Sequence, residues 1–83
     1  MSTRTIPLTP QWQQVSDDAK PVILQLISGD AAFCISTTKP ADDADHHFMP
    51  YLELISITPP TCVWVRGTHI WKKDTFLTVS ILD

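Results

Sequence analysis

The sequence predicts an all-β fold, a small antiparallel β-sandwich, and three observations carry that expectation. Threonine, isoleucine and valine, the β-branched types that suit a pleated and half-buried surface, supply 23 of the 83 residues. Helix-favouring composition is missing, with 5 alanines, one glutamate and 7 prolines. Turn signals recur about every 8 to 12 residues between short apolar runs, the spacing of a sandwich or, as the alternative, a small β-barrel. A chain this short forms one domain with a thin core, because a domain of about 60 residues buries only about 60% of its unfolded surface. Subunit contacts, a disulfide or a metal are the usual supplements.

Residues 3–9 alternate around Ile6 and Leu8 but contain Pro7, which restricts them to an edge strand or an extended arm. The sequence is therefore divided into an N-terminal arm over residues 1–10 and a single sandwich domain over residues 11–83. Residues 12–16 break strict alternation at Trp12 and Val15, so a short or bulged strand is expected there. Asp17, Asp18 and Pro21 then supply turn chemistry. Residues 22–28 are apolar on both faces, with Val22, Leu24 and Leu26 on one and Ile23 and Ile27 beside Gln25 on the other. Such a strand is covered on both sides, by a stacked sheet or by a neighbouring subunit. Ser28, Gly29 and Asp30 form the tightest turn signal and predict a hairpin joining residues 22–28 to residues 31–37. Residues 38–50 carry three acids, two histidines and two prolines and read as a long surface loop.

Residues 51–58 alternate again, with Ile55 and Ile57 as a core face, until Pro59 and Pro60 stop the strand. Residues 61–66 resume as strand, Gly67 and Thr68 turn, residues 69–71 continue, and Lys72, Lys73 and Asp74 turn once more. The last strand, residues 75–82, sets Leu77, Val79 and Ile81 against Phe76, Thr78, Ser80 and Leu82.

Charge and termini narrow the function classes. The net charge is −3, and Arg4, Lys20, Lys39, Arg66, Lys72 and Lys73 do not gather into a stripe, so no nucleic-acid partner is expected. The longest apolar stretch, residues 21–27, is far shorter than the roughly 20 residues of a membrane-crossing helix, and residues 1–8 lack the apolar core of a signal peptide. No membrane partner is expected, and the product should be soluble and made in the cytoplasm. Cys34 and Cys62 lie 28 positions apart outside any CxxC pair. They read as reduced core thiols, with a cross-strand disulfide or a reactive thiol as alternatives.

Asp42, Asp43, Asp45, His46 and His47 form the one ligand-rich cluster. Consecutive histidines on an extended chain point to opposite sides, and the calcium-loop template fails because His47 and Phe48 stand where an oxygen ligand and a glycine are needed. A solvated loop is the simpler reading, with a metal site or a pH-sensing role as the others. His69 is the one histidine on a strand-like segment. No phosphate loop, H-E-x-x-H or G-x-S-x-G motif accompanies it, so neither enzyme activity nor a cofactor is expected.

Three tryptophans in 83 residues admit two roles. Trp64 and Trp71 alternate with aliphatic neighbours, as core or inter-subunit anchors do, whereas an exposed Trp12 or Trp71 would suit a binding module for a glycan or host receptor. The opening Trp12-Gln13-Gln14-Val15, the strand Val22-Ile23-Leu24-Gln25-Leu26, the loop with Thr38-Lys39-Pro40, and Val63-Trp64-Val65-Arg66 ahead of Leu77-Thr78-Val79-Ser80 together resemble small β-sandwich structural proteins of tailed-bacteriophage virions. Two features depart from that pattern: Tyr51 follows Pro50 where a glycine-rich turn is common, and residues 69–73 are bulkier than a simple hairpin tip. The resemblance implies a head-decoration, head-tail or tail component of the virion. It would be a homo-oligomer, often a trimer, bound to other virion proteins. The candidates for its assembly interface are Ile23, Ile27, Trp64 and Trp71, with the N-terminal arm pairing to a neighbour's sheet edge.

Overall fold

The computed structural model describes residues 2–16, 20–58, 61–68 and 75–82, and all regular structure in them is strand. Eight strands run in chain order: β1 (Ser2–Leu8), β2 (Gln13–Ser16), β3 (Val22–Ser28), β4 (Ala31–Ile35), β5 (His47–Phe48), β6 (Leu54–Ile57), β7 (Val63–Gly67) and β8 (Thr75–Ile81). They form two four-stranded sheets, β1-β8-β3-β6 and β2-β7-β4-β5, antiparallel throughout. The expected sandwich is therefore the architecture, and the barrel alternative is set aside. The first strand pairs with the last, the second with the seventh, the third with the sixth and the fourth with the fifth. This nested ribbon, rolled so that β8 also pairs with β3 and β7 with β4, is the eight-stranded jelly roll.

Period-two alternation decides what each strand buries. On β3, Val22, Leu24 and Leu26 point inward; on β8, Leu77 and Val79; on β7, Val63 and Val65. Leu8, Val15, Met49 and Ile57 complete the core, and Ile55 packs against it, as the alternation of residues 51–58 implies. β3 lies between β8 and β6, so its second face is the outer surface of the first sheet, and Ile23 and Ile27 are half-buried there.

Three expectations are corrected. The N-terminal arm is instead strand β1, paired along its whole length with β8 of the same chain, from Ser2 opposite Ile81 to Leu8 opposite Thr75. Ile6 and Leu8 face the core, the Thr3 and Thr5 hydroxyls meet those of Ser80 and Thr78 at 2.8 and 3.2 Å, and Pro7 is tolerated because β1 is an edge strand.

The hairpin predicted at Gly29 does not form, because β3 and β4 belong to different sheets and the turn is an arch between the layers. Gly29 has φ +77°, and a Cβ there would collide with the Thr75 side chain and lie 2.9 Å from the Thr75 Cα, so glycine is required on both counts. Amide-to-carbonyl bonds from Gly67 to Thr9 (2.8 Å) and from Thr68 to Asp30 (3.0 Å) hold the chain at this end of the sandwich.

The loop expected over residues 38–50 contains strand β5, with Phe48 opposite Ala32 and His47 opposite Phe33. The Met49 amide extends the pairing to the Ala31 carbonyl at 3.0 Å, and the Met49 side chain is buried in the core. Residues 69–74, which include the expected strand 69–71 and the turn after it, lie outside the described residues.

The irregularity expected near Val15 is a bulge, since Gln14 pairs with Trp64 but Ser16 pairs with Val63. The buried Ser16 hydroxyl repairs the ladder, accepting from the Val63 amide at 2.9 Å and donating to the Thr61 carbonyl at 3.0 Å. Ser16→Ala orphans both backbone groups and should cost about 1–3 kcal/mol in urea denaturation.

Candidate functional site

The outer face of the first sheet divides into a polar and an apolar half. Over β1 and β8 it is a ladder of Thr3, Thr5, Thr78 and Ser80 hydroxyls. Over β3 and β6 it carries Ile23, Gln25, Ile27 and Leu54, with Gln25 directly opposite Leu54. The segment entering β6 adds to the apolar half: Tyr51 is 59% exposed, Leu52 52% and Leu54 66%.

Specific bonds hold this segment in place. Tyr51 bridges to Leu26 and its hydroxyl donates to the Ile27 carbonyl at 3.4 Å; the Leu52 amide donates to the Leu26 carbonyl at 3.0 Å; the Gln25 side-chain amide donates to the Leu52 carbonyl at 2.9 Å. Leu52 also has φ 65°, a left-handed conformation costing an L-residue roughly 1–2 kcal/mol. Three hydrogen bonds thus fix a strained turn whose apolar side chains point to solvent. Backbone strain of this kind concentrates at functional surfaces.

The second sheet's outer face is organised around Trp12. Its indole N–H donates to the Ala41 carbonyl at 3.0 Å, fastening the 36–46 loop over the sheet, and the ring is only 4% exposed. The Arg66 guanidinium lies 4.5 Å from the Trp12 ring centroid, a cation–π stack. His46 meets Trp12 edge-on at 6.2 Å and Phe48 at 5.3 Å, while Ala32, opposite both Arg66 and Phe48, is fully buried. Trp12 is thus an anchor and offers no open ring face to a ligand.

Further along the same face, Trp64 is half-buried and its indole N–H donates to the Ser36 carbonyl at 2.9 Å. Cys34 lies opposite Trp64, and the Cys62 carbonyl accepts from the Ser36 amide at 3.1 Å. Both cysteines are free thiols of intermediate burial, so the disulfide alternative is not taken up and neither thiol sits in the core as expected.

The chain matches no protein-family model, no curated protein and no solved structure. Its candidate site therefore rests on its own geometry. Among the described residues, which include all of Asp42 to His47, no three His, Cys, Asp or Glu side chains converge to hold a metal ion. No helix of the described residues is long and apolar enough to cross a membrane.

Of the four interface candidates, Ile23 and Ile27 share the outer face of the first sheet with the exposed 51–54 segment. Trp64 lies on the opposite outer face and cannot join them in one contact, and Trp71 lies outside the described residues. Sequence reasoning missed Phe48, Tyr51, Leu52 and Leu54. The available signal was the run Phe48-Met49-Pro50-Tyr51-Leu52, too apolar for a solvated loop.

Proposed function

We propose that this protein is a structural subunit of a virion that acts by assembly, docking onto a second copy of itself and onto larger virion proteins. The observation that carries this reading is the apolar band of Tyr51, Leu52 and Leu54 at the β6 edge, on the same sheet as Ile23 and Ile27. A free sheet edge with exposed apolar residues is a template for another chain, and natural monomers blunt such edges with charge, proline or a bulge. The opposite edge is blunted in that way, by Arg4 and Pro7 on β1 and the bulge in β2, whereas the residues of β6 itself, Leu54–Ile57, carry no charge, proline or bulge. An antiparallel strand edge is self-complementary about a two-fold axis, which makes a second copy the natural first partner. The loose sequence resemblance to phage sandwich proteins and the use of jelly rolls in viral capsid domains support the virion setting, as fold-level analogy.

Sedimentation velocity across a dilution series tests the proposal. The expected result is a concentration-dependent oligomer that Leu54→Lys shifts to monomer while the thermal midpoint of dilute protein is unchanged. A wild-type protein that stays monomeric at its solubility limit and binds no virion component would overturn it.

A further inference from the structure

The side of the sandwich opposite the apolar band carries a different feature. Between edge strands β1 and β2 lies a cleft of about 370 Å³, within the range of small-molecule sites. Val15, Val22 and Ile81 give it an apolar floor, and Arg4, Lys20 and Gln14 stand around it. Two local irregularities open it. On β1 the inward positions are Ile6 and Leu8, and period two sets Arg4 on that same face, opposite the fully buried Val79. On β2 the bulge turns the consecutive residues Val15 and Ser16 both inward, shortening the facing strand.

The polar groups are unequally engaged. The Ser16 hydroxyl is spent on Thr61 and Val63, and the Gln14 side-chain amide donates to the Ser16 carbonyl at 3.1 Å. Arg4 has no hydrogen-bond or ion-pair partner among the described residues, and its planar five-donor fork fits two oxygens at once. Lys20, the other cation at the cleft, already has an interaction of its own, so the recognition rests on Arg4, on a chain whose net charge is −3. Overall charge therefore does not draw anions to the molecule, and the attraction is local.

From this placement we infer that the β1–β2 cleft binds a carboxylate carried on a compact branched aliphatic body. The carboxylate sits on the Arg4 fork, and the aliphatic body lies on Val15, Val22 and Ile81. The apolar floor favours this class over inorganic phosphate, whose oxygens would face aliphatic side chains with no donors. A free branched-chain acid and the C-terminal end of a peptide share the chemistry. The competing role for Arg4 is an inward-pointing charge that merely guards the edge against strand addition.

Two-dimensional amide NMR of the labelled full chain at constant ionic strength tests the site. The probes are 4-methylpentanoate, its neutral amide, N-acetyl-glycyl-leucine and inorganic phosphate. The expected result is saturable shifts of the Arg4, Gln14, Val15, Val22 and Ile81 amides with one or both carboxylates, and none with the neutral amide. Tighter binding of the free acid assigns the cleft to a small metabolite, and tighter binding of the dipeptide assigns it to a chain terminus. Arg4→Gln, at an exposed position that leaves the core intact, should weaken binding about tenfold or more, as loss of a charge-assisted hydrogen bond does. Shifts that never saturate, equal displacement by phosphate, or unchanged affinity in Arg4→Gln would each overturn the inference and leave Arg4 as an edge guard.

Discussion

Gly29→Ala is expected to destabilise the protein by about 2–5 kcal/mol. Two costs coincide at this position. An alanine at φ +77° occupies the left-handed region, at roughly 1–2 kcal/mol, and its Cβ would lie 2.9 Å from both the Cα and the Cβ of Thr75. Thr75 is buried and opens β8, so relief requires moving the strand that joins β1 to β3, an overpacking cost of about 1–3 kcal/mol. A domain of 83 residues has roughly 4–12 kcal/mol in all, at about 0.05–0.15 kcal/mol per residue. The sum is a large share of that reserve. Gly67→Ala is the matched control, since its Cβ would meet only ordinary contacts at 3.6 Å from the Leu8 carbonyl and the Thr75 side chain. Urea denaturation of the two variants should separate them by at least about 2 kcal/mol. Equal midpoints would mean that the arch at Gly29 is wrongly described.

Leu77→Ala should cost about 2–5 kcal/mol, the range for deleting a fully buried leucine side chain. Leu77 has no exposed surface and lies in a cross-strand row with Ile6 of β1 and Leu26 of β3, so three of the first sheet's strands lose a common neighbour. The cavity cannot readily close, because Leu26 is tied to its neighbours by pairing on β8 and by the Tyr51 bridge. Thermal denaturation gives the check, and Thr78→Ala, one position along on the hydroxylated outer face, should change the midpoint little.

How much of this fold was legible in the sequence depended on whether the deciding physics was local. The alternation of Val22, Leu24 and Leu26, and of Leu77 and Val79, is a period-two pattern that the backbone geometry of a strand imposes, and it located β3 and β8 and separated their two faces. The bulge near Val15 was legible for the same reason. Partner choice was not. Ser28-Gly29-Asp30 supplies a tight turn whether the chain returns within one sheet or crosses to another, and the difference rests on β8, which is more than forty residues away in sequence. Pro7 left edge strand and arm equally open, and only the Thr3–Ser80 and Thr5–Thr78 hydroxyl pairs on a distant strand decide between them. The exposed band at Tyr51, Leu52 and Leu54, and Phe48 on the other sheet, escaped because hydrophobicity reports a tendency to be covered and does not say by what.

The nested pairing of first strand with last has a consequence for the order in which the molecule can be made. A ribosome delivers β1 first and β8 last, yet β8 is the sole sheet neighbour of β1 and one of only two neighbours of β3. Until the final strand emerges, β1 has nothing to pair with and the first sheet is reduced to β3 with the four-residue β6. Completion of the first sheet therefore waits for β8, and the fold is dominated by contacts between residues far apart in the chain, which places it among slow-folding topologies. During that interval Val22, Leu24 and Leu26 are open to any other nascent copy, so the period of greatest aggregation risk coincides with the closest crowding of chains on a polysome.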